Sequence, residues 1–211
     1  MTSTTFRQTS GMTLEQEKID ADNALYSRMP LPRLNAEALY GTLLLIAGRL
    51  NQKRFSPADP VEVRKDGQVT PIGTREGWRR IIYVRQSRKQ IPTHLENFDN
   101  PQMNPNCIER RDSIVALQAL QLINAGMIQD LSNHFARRVN RESGAEKGKQ
   151  IDRVYLIAMS RLPSDEERKI SVEAREKLAE EWSRALDDSG KPDKNSASEN
   201  DLAAYCHTIT H

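Results

Sequence analysis

The residue types best suited to covalent or metal chemistry are scarce, with two cysteines and four histidines in 211 residues. Cys107 and Cys206 stand 99 positions apart and no C-x-x-C occurs. Cys206-His207 resembles the end of a haem-attachment motif, but the upstream cysteine is absent, so covalent haem in this chain is excluded. A Cys107–Cys206 disulfide is open only in an oxidising compartment, and spacing does not decide pairing; the plain reading is two unremarkable thiols. His94, His134, His207 and His211 lack metal-ligand spacing with a nearby acid. His207 and His211 are four apart and would share a helical face, at a chain end where a helix is marginal. His134, beside Phe135, reads as a helix-surface residue.

Gly144 to Lys149 superficially resembles a phosphate loop. Its glycines are four apart rather than five, Gln150 stands where Ser or Thr would hold the metal, and no strand precedes it. It reads as a polar loop between helices. Neither G-x-S-x-G nor G-x-G-x-x-G occurs, which leaves nucleophile-elbow and dinucleotide chemistry without support. No matched acid and base or activated nucleophile is in evidence. No catalytic, cofactor-binding or metal residues are therefore assigned.

Two polar constellations are more informative. From Arg64 to Lys89 there are eight bases (Arg64, Lys65, Arg75, Arg79, Arg80, Arg85, Arg88, Lys89) against Asp66 and Glu76, with Trp78 and Tyr83 interleaved. Arg79, Arg80, Arg85 and Arg88 are the candidate anion-binding residues, since guanidinium beside an aromatic suits phosphate or an anionic polysaccharide. The competing reading is internal neutralisation by the region 165–188, which has nine acids and five bases. No nucleic-acid motif accompanies the basic cluster, so nucleic acid is the weaker partner. The second constellation is a row of Gln118, Gln121 and Asn124 on an otherwise apolar helix, preceded by Arg110, Arg111 and Asp112, with Asp99 in the loop before. A buried amide left without partners costs about 1–3 kcal/mol. Asp99, Arg110, Gln118 and Asn124 are therefore expected to form a structural network tying loop to helix; lining a ligand pocket is the alternative.

The elements that must position these residues are mainly helical. Leu, Ile, Val and Phe number 45, of which 17 fall in 81–140 and none in 189–201. The densest core is expected in the former stretch and a solvated linker in the latter. Residues 51–105 hold six of the ten prolines, which predicts a long loop region with short strands or turns. Helices are predicted at about Asn35–Arg49, with Asn35 as N-cap and Gly48 as terminator, and from Asp112 or Ser113 through Asn124. The latter is apolar on nearly all sides and is expected to be a buried central helix. Three more follow, at Met127–Glu142, Ile151–Arg161 and from Ser164 onward. The last opens with a Ser164–Glu167 capping box and carries Ile170, Ala174, Leu178 and Trp182 on one face. Arg80–Gln86 is the best strand. The fold class is mainly α, a helical domain with a small β element and a long proline-containing loop region. The expected organisation is one domain over 1–188, a flexible linker or loop over 189–200, and a short tail helix over 201–211.

A net charge of +2 excludes a polyanion binder driven by overall charge, and no apolar run is long enough to span a membrane. The first twelve residues, MTSTTFRQTSGM, lack the apolar core of a secretory signal.

Several segments, in order, resemble the domain of unknown function numbered fifteen-fifty-three. They are TFRQTS (Thr5 to Ser10), PRLNAEALYGTLLLIAGRL (Pro32 to Leu50), RRIIYVRQSR (Arg79 to Arg88), LENFDNP (Leu95 to Pro101), CIERRDSIVALQALQLIN (Cys107 to Asn124) and IDRVYLIAMSRLPSDEE (Ile151 to Glu167). The chain departs from that pattern at Val115 and Ala116, where the family has Thr-Pro, at Ser160, where it has Gly, and at the ending AAYCHTITH. The resemblance implies a C-terminal domain of planctomycete envelope proteins, periplasmic or secreted, whose partner is a cytochrome-c-like domain elsewhere in a longer protein. Any haem belongs to that separate domain, and the chain is expected to be a fragment or shortened relative, poorly soluble alone. The resemblance supplies no catalytic residues. Two functions follow as expectations. One is a non-catalytic scaffold or interaction module. The other is an enzyme or binding domain for an anionic polymer, such as a sulfated polysaccharide, acting through the basic patch.

Overall fold

The computed structural model describes residues 4, 7–30, 33–87, 89–101, 116–184 and 194–210. It is mainly α, with eight α-helices and four short strands among those residues. The chain divides into two units, Met1–Leu34 and Asn35–His211.

The first unit is held by polar turns. Helix α1 (Leu14–Ile19) opens with a Thr13–Gln16 capping box. The Asp20 carboxylate then accepts from the amides of Leu25 and Ser27. Burial pushes the Asp20 carboxyl up, but those amides outweigh it and leave it below the usual range. Leu14, Ile19 and Leu25 remain exposed, so among the described residues of this unit polar contacts outnumber apolar ones.

In the second unit, α2 (Ala36–Ile46) starts where Asn35 Oδ1 accepts from the Ala38 amide at 2.8 Å. It stops before Gly48, whose φ of +66° suits glycine. The loop region that follows carries β1 (Leu50–Asn51), β2 (Val61–Val63), β3 (Val69–Pro71) and β4 (Trp78–Arg79). β1 pairs in parallel with β4, and β2 pairs antiparallel with β3. The strand expected at Arg80–Gln86 is instead a 3-10 turn at Ile81–Tyr83. Ile81 and Val84 are buried while Ile82 is exposed. That three-residue spacing matches the 3-10 repeat and not the two-residue repeat of a strand.

After α3 (Thr93–Asn97), α4 (Ala116–Asn124) and α5 (Gly126–Ser143) are separated by an extended Ala125. α4 is not the buried central helix its composition suggests. Leu117, Leu120 and Ile123 are 62%, 50% and 43% exposed, and only Gln118 is buried. The central role falls to α5, which buries Ile128, Leu131, Phe135 and Val139. α6 (Lys147–Met159) ends on Ser160 at φ +57°, the left-handed position that glycine occupies at least cost. α7 (Asp165–Arg184) opens with the expected capping box, Ser164 N donating to Glu167 Oε2 and Glu167 N to Ser164 Oγ. It buries Ser171 and Arg175 and packs Val172 and Leu178 against the core, leaving Ile170 and Trp182 exposed.

α8 (Lys194–Ile209) extends the tail helix back into the stretch read as linker; residues 189–193 of that stretch lie outside the described residues. Leu202, Tyr205 and Cys206 of α8 are buried here. Two apolar clusters result. One joins α2, the loop region, α3 and the start of α5 through Tyr40, Leu44, Ile81, Leu95 and Ile128. The other joins α5, α6 and α8 through Phe135, Val139, Ile151, Val154, Leu202 and Cys206.

Candidate functional site

Of the four candidate anion-binding arginines, β4 turns Arg79 inward. Its Nε donates to Asp59 Oδ1 and Oδ2 at 3.1 and 2.9 Å, and Nη2 to Oδ1 at 2.7 Å. Nη1 also donates to Ser56 Oγ, and Nη2 to the Pro57 carbonyl. The guanidinium lies 5.0 Å from the Tyr83 ring centre. Arg79 therefore fastens the loop 56–59 to β4. Arg80 and Arg85 are exposed, and Arg88 lies outside the described residues. The expected neutralisation by region 165–188 does not appear in the ion pairs among the described residues. Asp59 serves Arg79 and Asp66 serves Arg64, while in α7 Glu167 pairs with Arg161 and Arg168 with Asp152.

Two side-chain contacts join the loop before α4 to that helix. Gln118 Nε2 donates to Asp99 Oδ2 at 3.4 Å, and Asn97 Nδ2 to Gln121 Oε1 at 3.1 Å. Asn124 is exposed and stands apart from it; Arg110 lies outside the described residues.

The histidines and the thiol are set to structural tasks. His94 is buried, its Nε2 3.2 Å from the Ala36 carbonyl and its ring 4.7 Å from that of Phe98. Burial lowers its pKa to about 4, so it is neutral at pH 7. His134 is half-buried, edge-on to Trp78. His207 Nε2 is 3.2 Å from the Leu122 carbonyl; His211 lies outside the described residues. Cys206 is a free, buried thiol pushed up to about 12 by burial, so its nucleophilic thiolate is suppressed. Cys107 lies outside the described residues. Among the described residues, no group of three His, Cys, Asp or Glu comes together as a metal site. Among the described residues, no helix is long and apolar enough to cross a membrane.

One cluster escaped the sequence reading. Arg175 of α7 is 1% exposed. Its Nε and Nη2 donate to Asp201 Oδ2 of α8 at 3.1 and 3.0 Å, and its Nη1 to Gln150 Oε1 of α6 at 2.8 Å. Gln150 Nε2 then donates to the Gly144 carbonyl at 2.6 Å. Three helices and one interhelical loop thus meet on one guanidinium. Arg175 and Asp201 are 26 positions apart, and no spacing rule links them. The available signal was Asp201 itself, an acid directly before the apolar LAAYC.

A surface groove of about 480 Å3 lies between the β2–β3 hairpin and the first turn of α5. Ile72, Trp78 and Met127 line it with the charged or amide groups of Glu62, Arg64, Gln129 and Asp130. Gly126 lets Arg64 approach α5, because a Cβ there would lie 2.9 Å from Nη1.

A family model described as PSD1: Protein of unknown function (DUF1553) matches residues 1–174. The chain belongs to this family. No curated protein and no solved structure matches it. The whole DUF1553 groove, from Glu62 to Asp130, falls within the matched residues, as does Gln150. Arg175 and Asp201 fall beyond them.

Proposed function

We propose that the chain is a non-catalytic helical interaction module. The observation supporting this is how its buried ionisable groups are used. Arg79 is committed to Asp59, and Arg175 to Asp201 and Gln150. His94 is held neutral and Cys206 is held as a thiol. General acid–base or nucleophilic catalysis needs such groups poised near working pH and open to substrate; here burial moves them away from it. The partner suggested by the family resemblance is a cytochrome-c-like domain of a longer protein, which would itself hold the haem. Purified protein incubated with panels of glycans and esters is expected to release no product. Turnover that disappears on replacing Asp99 or Arg110 would overturn the reading.

A second reading is supported by the exposure of Arg80 and Arg85, which would attract an anionic polymer such as a sulfated polysaccharide. Binding to heparin should then weaken steeply with salt. Unchanged affinity in Arg80→Ala with Arg85→Ala removes it.

A further inference from the structure

The loop fastened by Arg79 carries an apolar tip into solvent. Phe55 is 100% exposed and Ile82 is 80% exposed, and Pro57 and Ala58 are exposed with them. Single exposed apolar side chains are ordinary on a protein surface. Here the two segments that carry them are tied together. Arg79 donates to Ser56 Oγ and to the Pro57 carbonyl, and its guanidinium lies over the Tyr83 ring. Asp59 N donates to the Tyr83 carbonyl and Arg85 N to the Asp59 carbonyl, both at 2.8 Å. Phe55 thus adjoins one contact of Arg79 in the chain, and Ile82 adjoins another. Phe55 also has a φ of +55°, a conformation that a bulky side chain rarely adopts. With residues 56–59 anchored behind it, its ring stands in water instead of against the first apolar cluster.

Cations flank both tips. Lys53, Arg54, Arg80 and Arg85 are all exposed, and none has an ion-pair partner among the described residues. The nearest acids along the chain are Asp59 and Glu76. Asp59 is neutralised by Arg79, and Glu76 Oε2 accepts from Asn51 Nδ2 at 3.1 Å. Four bases therefore stand against Glu76 alone.

A sulfated polysaccharide would take the cations and leave Phe55 and Ile82 in water. The anionic face of a lipid bilayer takes both. Its phosphates attract the guanidinium and ammonium groups, and its headgroup–acyl boundary accepts apolar side chains. Lysine and arginine stems are long enough to reach back to the phosphates while the tips insert.

We propose that this part of the loop region docks on an anionic lipid surface, with Phe55 and Ile82 as the inserted side chains and Lys53, Arg54, Arg80 and Arg85 as the headgroup contacts. The proposal shares Arg80 and Arg85 with the anionic-polymer reading but does not rest on it, because a polymer needs only the charges.

Full-length protein is sedimented with vesicles of phosphatidylcholine alone and of equimolar phosphatidylcholine and phosphatidylglycerol, and heparin binding is measured in parallel. Binding to the anionic vesicles is expected, weakening as salt rises, with none above background on phosphatidylcholine. Phe55→Ser and Ile82→Ser change exposed side chains, so folding is retained. Phe55→Ser is expected to weaken vesicle binding about tenfold or more and to leave any heparin binding unchanged. Ile82→Ser should act in the same direction. Arg80→Ala with Arg85→Ala should also weaken it, by about fivefold for each arginine. In Phe55→Trp the emission should shift to the blue on adding anionic vesicles, while that of the parent, from Trp78 and Trp182, stays in place. The proposal is overturned if the anionic vesicles carry down no protein, if Phe55→Ser binds them as tightly as the parent, or if the Phe55→Trp emission does not move. Heparin binding without vesicle binding overturns the lipid docking and leaves the anionic-polymer reading standing.

Discussion

Each of the two apolar clusters in the Asn35–His211 unit has one buried arginine beside it, and the two are satisfied differently. At the first cluster, among strands of two and three residues, Arg79 engages both Asp59 oxygens, a serine hydroxyl and a carbonyl. At the second, between long helices, Arg175 engages one oxygen of Asp201. The other, Oδ1, is buried with no partner among the described residues. The loop can bend its backbone until each acceptor finds a donor, whereas helix axes fix where Arg175 and Asp201 can stand. A fully buried pair is weak evidence of net stabilisation, because desolvation offsets the attraction. Removing one partner is costly all the same. The contrast suggests that Arg79 holds a loop that has little sheet to hold it, while Arg175 specifies where α8 sits.

The hardest blow to this contrast would come at α8. Asp201→Ala strands a buried guanidinium and is expected to cost about 3–5 kcal/mol in urea unfolding. Arg175→Met with Asp201→Leu should recover most of that loss. A cost near zero for Asp201→Ala would mean that the apolar face of α8 docks it unaided.

The next largest effect is a pH dependence at the first cluster. His94 has a folded pKa of about 4 against an ordinary 6.5. Between those values the unfolded chain binds a proton that the folded chain does not. Stability is therefore full above pH 6.5 and falls as the pH drops toward 4, by on the order of 3 kcal/mol. His94→Gln should flatten that slope in denaturant melts taken across the window, and an unchanged slope would refute its assignment to His94.

Arg79→Met should cost less than the Asp201 variant, about 1–3 kcal/mol, because Asp59 lies nearer to water. Limited proteolysis at 54–60 should rise with it; if Arg79→Met proves the costlier of the two, the contrast reverses. The smallest effect is expected on α4, where Leu120→Ser should shift the unfolding midpoint by less than about 0.5 kcal/mol. A large loss there would show that this face is buried after all.

Local signals were legible wherever they closed within one turn of chain. Asn35 capping α2 and Ser164 with Glu167 capping α7 appear as the sequence implies. The four-residue repeat of Leu131, Phe135 and Val139 lies on the buried face of α5. Ser160 ends α6 in the left-handed conformation that glycine adopts at least cost. Readings that depended on distant partners fared worse. α4 looked buried because its composition is apolar, but composition does not say whether another element covers a face. In α7 Leu178 of the expected face packs against the second cluster while Ile170 and Trp182 are exposed, and Arg175 reads as a surface residue until Asp201 is seen beside it. Gln118 Nε2 donates to Asp99 Oδ2 across 19 positions, whereas Asn124 faces solvent.

The sequence by itself determined the mainly helical class, the helix starts and the scarcity of chemistry-bearing residues, because these follow from residue type and from hydrogen bonds spanning three or four positions. Only the tertiary structure decided that Arg79 turns inward, that Asp201 anchors α8, and that Trp78, Gln129 and Asp130 share one groove. Those outcomes depend on which charges are desolvated together and which faces meet, and neither quantity exists until separated parts of the chain have come together.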